Sequence, residues 1–178
     1  SNTMSFGLGY FELNATRRYY VAGGNGLHRS TDGGKNWRIL TSWKTMEILN
    51  VAADPVDSTT IYVATPYGVF KSIDDGATWN RKANGLKKWY VQRVMMDETD
   101  RRVLYAACED DLYRSMDGGE KWTPLNVGAA PILAVLQRPS DPSTLRTGVE
   151  DGGIRYTTNG GKSWQAGRGL EGTSVYAL

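Results

Sequence analysis

One cysteine, Cys108, and one histidine, His28, stand in a chain of 178 residues. A single thiol excludes an intrachain disulfide and leaves oxidising and reducing compartments equally open. With so few soft donors there is no His/Cys metal-ligand cluster, and no Ser/His/Asp arrangement or helix-linked glycine loop for phosphate, so no cofactor or metal is expected. Charge of one sign is also missing. The 21 basic and 19 acidic residues leave a net charge of +2, without the basic stripe that nucleic acid requires. No apolar run approaches the ~20 residues of a membrane span. No signal-peptide pattern is visible, and "SNT" before Met4 reads as an appended remnant. "NAT" at Asn14 fits a glycosylation acceptor by chance spacing.

What the chain has is glycine (21), tyrosine (10), tryptophan (6) and a repeated phrase. "STDGGKNW" at 30–37 returns as "SIDDGATW" at 72–79, "SMDGGEKW" at 115–122 and "TTNGGKSW" at 157–164. The closing residues Trp37, Trp79, Trp122 and Trp164 lie 42, 43 and 42 apart. A strand-rich repeat of about 40–45 residues is the period of a β-propeller blade, a four-stranded antiparallel sheet.

Sliding the chain by this period aligns other positions. Leu27, Val69, Leu112 and Ile154 form an apolar column that faces the core. Tyr20, Tyr62, Tyr105 and Thr147 form another, and Arg29, Lys71, Arg114 and Tyr156 a third. His28 shares its column with Phe70, Tyr113 and Arg155, so that position is expected to be half-exposed and His28 to be a strand residue without chemistry. In the second repeat, "MEILNVAAD", "IYVAT", "VFKSI" and "TWNRKA" read as strands A to D. The blades then run over about 4–43, 44–86, 87–128 and 129–171, with 172–178 starting a fifth inner strand.

The phrase falls between strands C and D, where a hairpin must turn. Asp32, Asp74 and Asp117 accept hydrogen bonds from backbone amides just beyond them, and the glycines that follow supply positive φ. Asn159 replaces the fourth aspartate and keeps the acceptor, so these residues are folding devices. Each tryptophan buries a ring at the hairpin base and keeps an N–H for a partner. The pattern S-x-D-x-G-x-T-W resembles the Asp-box, or bacterial neuraminidase repeat (BNR), of sialidases, xyloglucan-cleaving glycoside hydrolases, sortilin-type receptors and photosystem II assembly factors. The resemblance covers nearly the whole chain. It implies an all-β propeller and a secreted or periplasmic setting, but no single activity, since these relatives include enzymes, receptors and assembly factors.

The relatives close rings of more than four blades. The chain is therefore read as part of a longer propeller, or as half of an eight-bladed ring made by two copies, with a closed four-bladed ring as the third reading. An open half ring exposes an apolar flank, so a homo-oligomer, a dimer, is expected.

Strand alternation puts every Asp-box turn on one edge, the bottom, and the B–C and D–A loops on the other, the top. There the B–C loops "CEDD" and "EDGG" present Glu109, Asp110, Asp111, Glu150 and Asp151, and "TPYG" presents Tyr67. The D–A connectors present Trp43, Lys44, Lys87, Lys88, Trp89 and Tyr90. Aromatic platforms beside carboxylates suit a sugar or a protein partner. The first functional reading is a non-catalytic binding or assembly module anchored by Trp43, Tyr67, Trp89 and Tyr90. The second is a glycoside hydrolase-like enzyme whose cleft needs further blades or a second chain, with catalysis by two of the five loop acids. A sialidase would also need an arginine cluster, which Arg17, Arg18, Arg93 and Arg146 do not assemble along the sequence.

Overall fold

The computed structural model describes residues 5–13, 16–42, 47–128 and 130–178, with side chains from Arg18 onward. These residues form four four-stranded antiparallel sheets. Blade one holds β1 (Ser5–Leu13), β2 (Thr16–Gly23), β3 (Gly26–Ser30) and β4 (Arg38–Ile39). Blade two holds β5 (Asn50–Ala53), β6 (Ile61–Thr65), β7 (Gly68–Ser72) and β8 (Asn80–Lys82). Blade three holds β9 (Val91–Met96), β10 (Leu104–Cys108), β11 (Leu112–Ser115) and β12 (Thr123–Pro124). Blade four holds β13 (Ile132–Arg138), β14 (Asp141–Val149), β15 (Gly153–Thr157) and β16 (Gln165–Ala166). Each sheet runs in chain order from its inner to its outer strand, as a meander of hairpins must. Strand A of blade two begins at Asn50, later than the apolar pattern suggests, because Glu47 takes a left-handed φ of 61°.

Inner strands β1, β5, β9 and β13 touch in succession. Among the described residues no comparable contact returns from β13 to β1. The sheets do not close, which corrects the four-bladed closed ring. Each joint is filled by its own buried apolar cluster. Leu27, Leu40, Ile48, Ile61 and Val63 fill the joint of blades one and two. Tyr62, Val69, Val91, Leu104, Tyr113 and Trp122 fill the next. Leu112, Leu125, Ile132 and Leu145 fill the third.

The ladder corrects one column. Tyr20 pairs with Arg29, Tyr62 with Lys71 and Tyr105 with Arg114. In blade four Tyr156 pairs with Arg146, and Thr147 stands opposite Arg155. The β14–β15 turn carries one more residue than its counterparts, which slides β14 by one position. A slip of one reverses the face each side chain meets. Arg146 is therefore exposed where three tyrosines are buried, and Thr147 is fully buried. A second correction concerns the His28 column. Tyr113 is fully buried there, because its hydroxyl reaches the Asp110 carboxylate at 2.7 Å and accepts the Lys87 amide at 3.3 Å.

Candidate binding site on the top face

The bottom edge is held by the repeated phrase. In blade two the Ser72 hydroxyl donates to Asp74 Oδ1 (2.8 Å) and accepts the Gly76 amide (2.8 Å). Asp74 also accepts the Thr78 amide (2.8 Å) and hydroxyl (2.5 Å). Those bonds, the Thr78 hydroxyl's first, hold the Asp74 carboxyl down to about 2. The Asn36 amide and side chain with Ser30 hold Asp32 at about 2. Asp117 is lowered by the Lys121 amide and Ser115. Asn159 accepts the Thr157 hydroxyl (2.7 Å) and the Ser163 amide (3.1 Å), the same wiring without a charge. Gly76 sits at φ 84° against Leu40 of blade one, where a Cβ would come within 2.9 Å of the Leu40 Cβ. The turn is thus both a hairpin and a joint surface.

The tryptophans extend those joints. Trp79 Nε1 donates to Leu40 O (3.0 Å), Trp122 to Lys82 O (2.9 Å) and Trp164 to Leu125 O (3.0 Å), each into the preceding blade. Trp37 reaches no preceding blade among the described residues. It donates to Gly34 O in its own turn (2.9 Å) and is 43% exposed, next to Ile39 at 50%. In the opposite direction Arg18 and Arg29 pair with Asp75, Lys71 reaches Gly118 O (3.3 Å) and Arg114 reaches Gly160 O (3.1 Å). Sequence reasoning missed a further device on this edge, the A–B turn. Asp54 accepts the Val56 and Asp57 amides and a two-oxygen contact from Arg101, and Asp97 binds the Thr99 and Asp100 amides and Gln137. The D-x-x-D spacing shared by "DPVDSTT" at 54–60 and "DETDRRV" at 97–103 was its available signal.

On the top edge the five loop acids divide. Asp111 is buried and accepts the amides of Leu112, Asn126 (2.8 Å) and Val127 (2.9 Å), tying the β10–β11 turn to the connector that follows β12. Asp110 accepts the Tyr113 hydroxyl through one oxygen, and its other oxygen is buried without a partner. Asp151, at φ 49°, accepts the Ser174 hydroxyl (2.9 Å). Glu109 and Glu150 are exposed, and their carboxylates enter no hydrogen bond or ion pair among the described residues.

These two glutamates line one cavity of about 290 Å³ with Tyr90, Gln92, Pro131, Ile132, Leu133 and Tyr176. Gln92 comes from β9 and Ile132 and Leu133 from β13, so the cavity sits over the joint of blades three and four. The Oε1 atom of Gln92 is buried without a donor. An adjoining cavity of about 210 Å³ shares Tyr90, Gln92, Leu133 and Tyr176 and adds Leu49 and Arg93. Arg93 donates to Leu133 O (3.1 Å) and Tyr176 O (3.0 Å), which holds the two walls together. Further down, inner strands β5, β9 and β13 border a third space of about 350 Å³ with Asn50, Met96, Asp97 and Glu98.

The aromatic candidates separate in the same way. Tyr90 lines the cavity. Trp89, 55% exposed, stacks on the Arg81 guanidinium at 4.3 Å, and Arg81 Nε donates to Tyr67 O (2.7 Å). Trp89, Arg81 and Tyr67 thus form a separate exposed cluster on blade two, with Arg81 unnoticed in the sequence. Lys87 and Lys88 are exposed on the same connector. Trp43, Lys44 and Asn14 lie outside the described residues. Among the described residues no three His, Cys, Asp or Glu side chains gather to hold a metal, and no helix is long and apolar enough to cross a membrane.

Comparison with protein families resolves the repeat. The model described as "Sortilin, neurotensin receptor 3" (Sortilin-Vps10) matches residues 25–130, more than half of the chain, and the BNR/Asp-box repeat matches 155–166. The chain belongs to the Sortilin-Vps10 family. Its fold is a BNR-type β-propeller. This Sortilin-Vps10 member is similar to a solved ancestral GH74 enzyme, with TM-score 0.77 and 19% identity over 94% of this chain and 24% of that one. It is similar to the GH74 xyloglucanase from Xanthomonas campestris, with TM-score 0.75 and 21% identity over 96% and 32%. It is also similar to YCF48 bound to D1 peptide, with TM-score 0.61 and 16% identity over 84% and 49%. The chain spans a third or less of the two GH74 proteins, and identities this low express shared fold. No curated protein matched the sequence.

Proposed function

We propose that this propeller is a non-catalytic binding or assembly module that holds a protein or glycan partner at its top face. One observation carries the reading. Of five acids in the top loops, Asp110, Asp111 and Asp151 are engaged by the fold's own donors, while Glu109 and Glu150 remain available beside tyrosines on one cavity. Carboxylates without partners next to aromatic rings are a recognition surface. That YCF48, of similar fold, is bound to a peptide supports the protein arm of this reading.

The GH74 likeness favours one alternative, a glycoside hydrolase-like enzyme completed by further blades or a second chain. Its acid and its nucleophile or base would be Glu109 and Glu150, the two carboxylates left free. Incubation with xyloglucan and aryl glycosides separates the readings. The module binds without releasing reducing ends. Turnover abolished by Glu109→Gln or Glu150→Gln would establish the enzyme.

The exposed leading flank with Trp37 and Ile39 supports self-association into a dimer. On the same reading residues 172–178 start a further inner strand. Val175 N donates to Val149 O (3.4 Å) as Ile48 N donates to Gly23 O (3.2 Å) at the start of blade two. Light scattering over a concentration series reads the assembly directly. A mass of one copy at every concentration would remove the dimer.

A further inference from the structure

We infer that the cavity over the joint of blades three and four receives a cation, the ammonium or guanidinium of a lysine or arginine side chain presented by a peptide partner. The inference rests on the binding-module reading and names the chemistry of its ligand. Three features of the cavity point the same way. Its charged groups are acceptors. The Glu109 and Glu150 carboxylates lack partners among the described residues, so a ligand that brings several N–H groups completes them. Its charge is negative. Arg93 on the adjoining wall offsets one of the two carboxylates, and its guanidinium is already tied to the carbonyls of Leu133 and Tyr176. Its walls suit a long cationic stem. Leu133 offers apolar surface for methylenes, and the Tyr90 and Tyr176 rings offer faces that attract a cation.

Size and charge favour a cationic side chain over sugar. At 290 Å³ the cavity lies at the lower end of enclosed ligand sites, about 300 Å³, which fits one side chain better than successive pyranose rings. Sugar hydroxyls can hydrogen-bond the two exposed carboxylates, but only an ammonium or guanidinium also brings the opposite charge.

The test is an NMR titration of the isotope-labelled full chain with capped single amino acids: N-acetyl-lysine N-methylamide, its arginine, norleucine and glutamate counterparts, and a neutral xyloglucan oligosaccharide. The lysine and arginine probes should shift the Gln92 side-chain amide and the backbone amides of Tyr90, Glu109 and Glu150 saturably, while norleucine and glutamate leave them in place. The Glu109→Gln/Glu150→Gln variant, with the rest of its spectrum retained, should bind the lysine probe at least about tenfold more weakly, the loss of a charge-assisted hydrogen bond. Equal binding of norleucine, or undiminished lysine binding by the variant, overturns the inference. If the oligosaccharide moves these resonances and lysine does not, the ligand class falls and the binding module stands. If no probe moves them, both fall.

Discussion

Truncating two tryptophans from the same place in the repeat should have unequal consequences. Trp122 is 2% exposed in the joint of blades two and three, and its N–H holds Lys82 O at 2.9 Å. Trp122→Ala removes a fully buried indole, a loss of about 3–5 kcal/mol including the cavity. It also strands the Lys82 carbonyl, for about 1 kcal/mol more. Trp37 is 43% exposed and bonds only within its own hairpin. Roughly half of an indole's ~200 Å² at ~25 cal/mol per Å² gives about 2.5 kcal/mol, with no cavity because water fills the space. In a domain of this size about 1 kcal/mol moves Tm by about 2–4 °C, so the expected shifts are about 8–24 °C for Trp122→Ala and about 5–10 °C for Trp37→Ala. Thermal unfolding followed by circular dichroism measures both, at a concentration where light scattering reports single copies. A Trp37→Ala loss equal to that of Trp122→Ala in single copies would refute the view that a preceding blade makes these residues structural.

Two further outcomes follow from the turns and the thiol. Asp32 and Asp74 have folded pKa values depressed to about 2 from an unfolded value near 4, so their contribution is present above pH ~4 and is lost as pH falls toward 2. Asp74→Asn, which copies the Asn159 wiring of blade four, should therefore flatten the decline in urea midpoint between pH 5 and pH 2, and an unchanged decline would count against the Asp-box as its source. Cys108 is fully buried, and burial together with the charges of Asp110, Asp111 and Glu109 pushes its thiol well above the usual range. A thiol reagent at pH 8 should react only at the rate of unfolding, and rapid native-state labelling would contradict the packing of β10.

The fold was legible because its information is local and repeated. Each phrase closes a hairpin with its own hydroxyl, carboxylate and glycines, so four copies announce four sheets whatever surrounds them. The site was legible only in part. Glu109, Glu150 and Tyr90 stand out as loop residues, but Gln92 is an inner-strand residue and Tyr176 comes from beyond the last blade. No spacing rule brings those two together, because their meeting depends on how blades three and four stack.

Counting between tryptophans also hides compensating changes. The distance from Trp122 to Trp164 is an ordinary 42 residues, yet the longer β14–β15 turn has moved Arg146 into the place of Tyr20, Tyr62 and Tyr105. The face that blade four turns away from its neighbour is altered by that slip. In blade two the same face carries Tyr62, whose hydroxyl reaches Gly118 O at 3.1 Å across the joint, with Lys71 over its ring. In blade four Tyr156 bonds its own Gln165 at 2.7 Å, Arg146 is exposed, and Gly167 replaces the leucine or lysine that meets the next Asp-box glycine. The outer face of blade four is mixed, with Leu136, 41% exposed, opposite Arg146 and Ile154 partly exposed. In the proposed self-association, Trp37 and Ile39 on blade one and Leu136 on blade four are the exposed apolar side chains on which a contact would rest, and Trp37→Asp should lower the mass read by light scattering if blade one carries it.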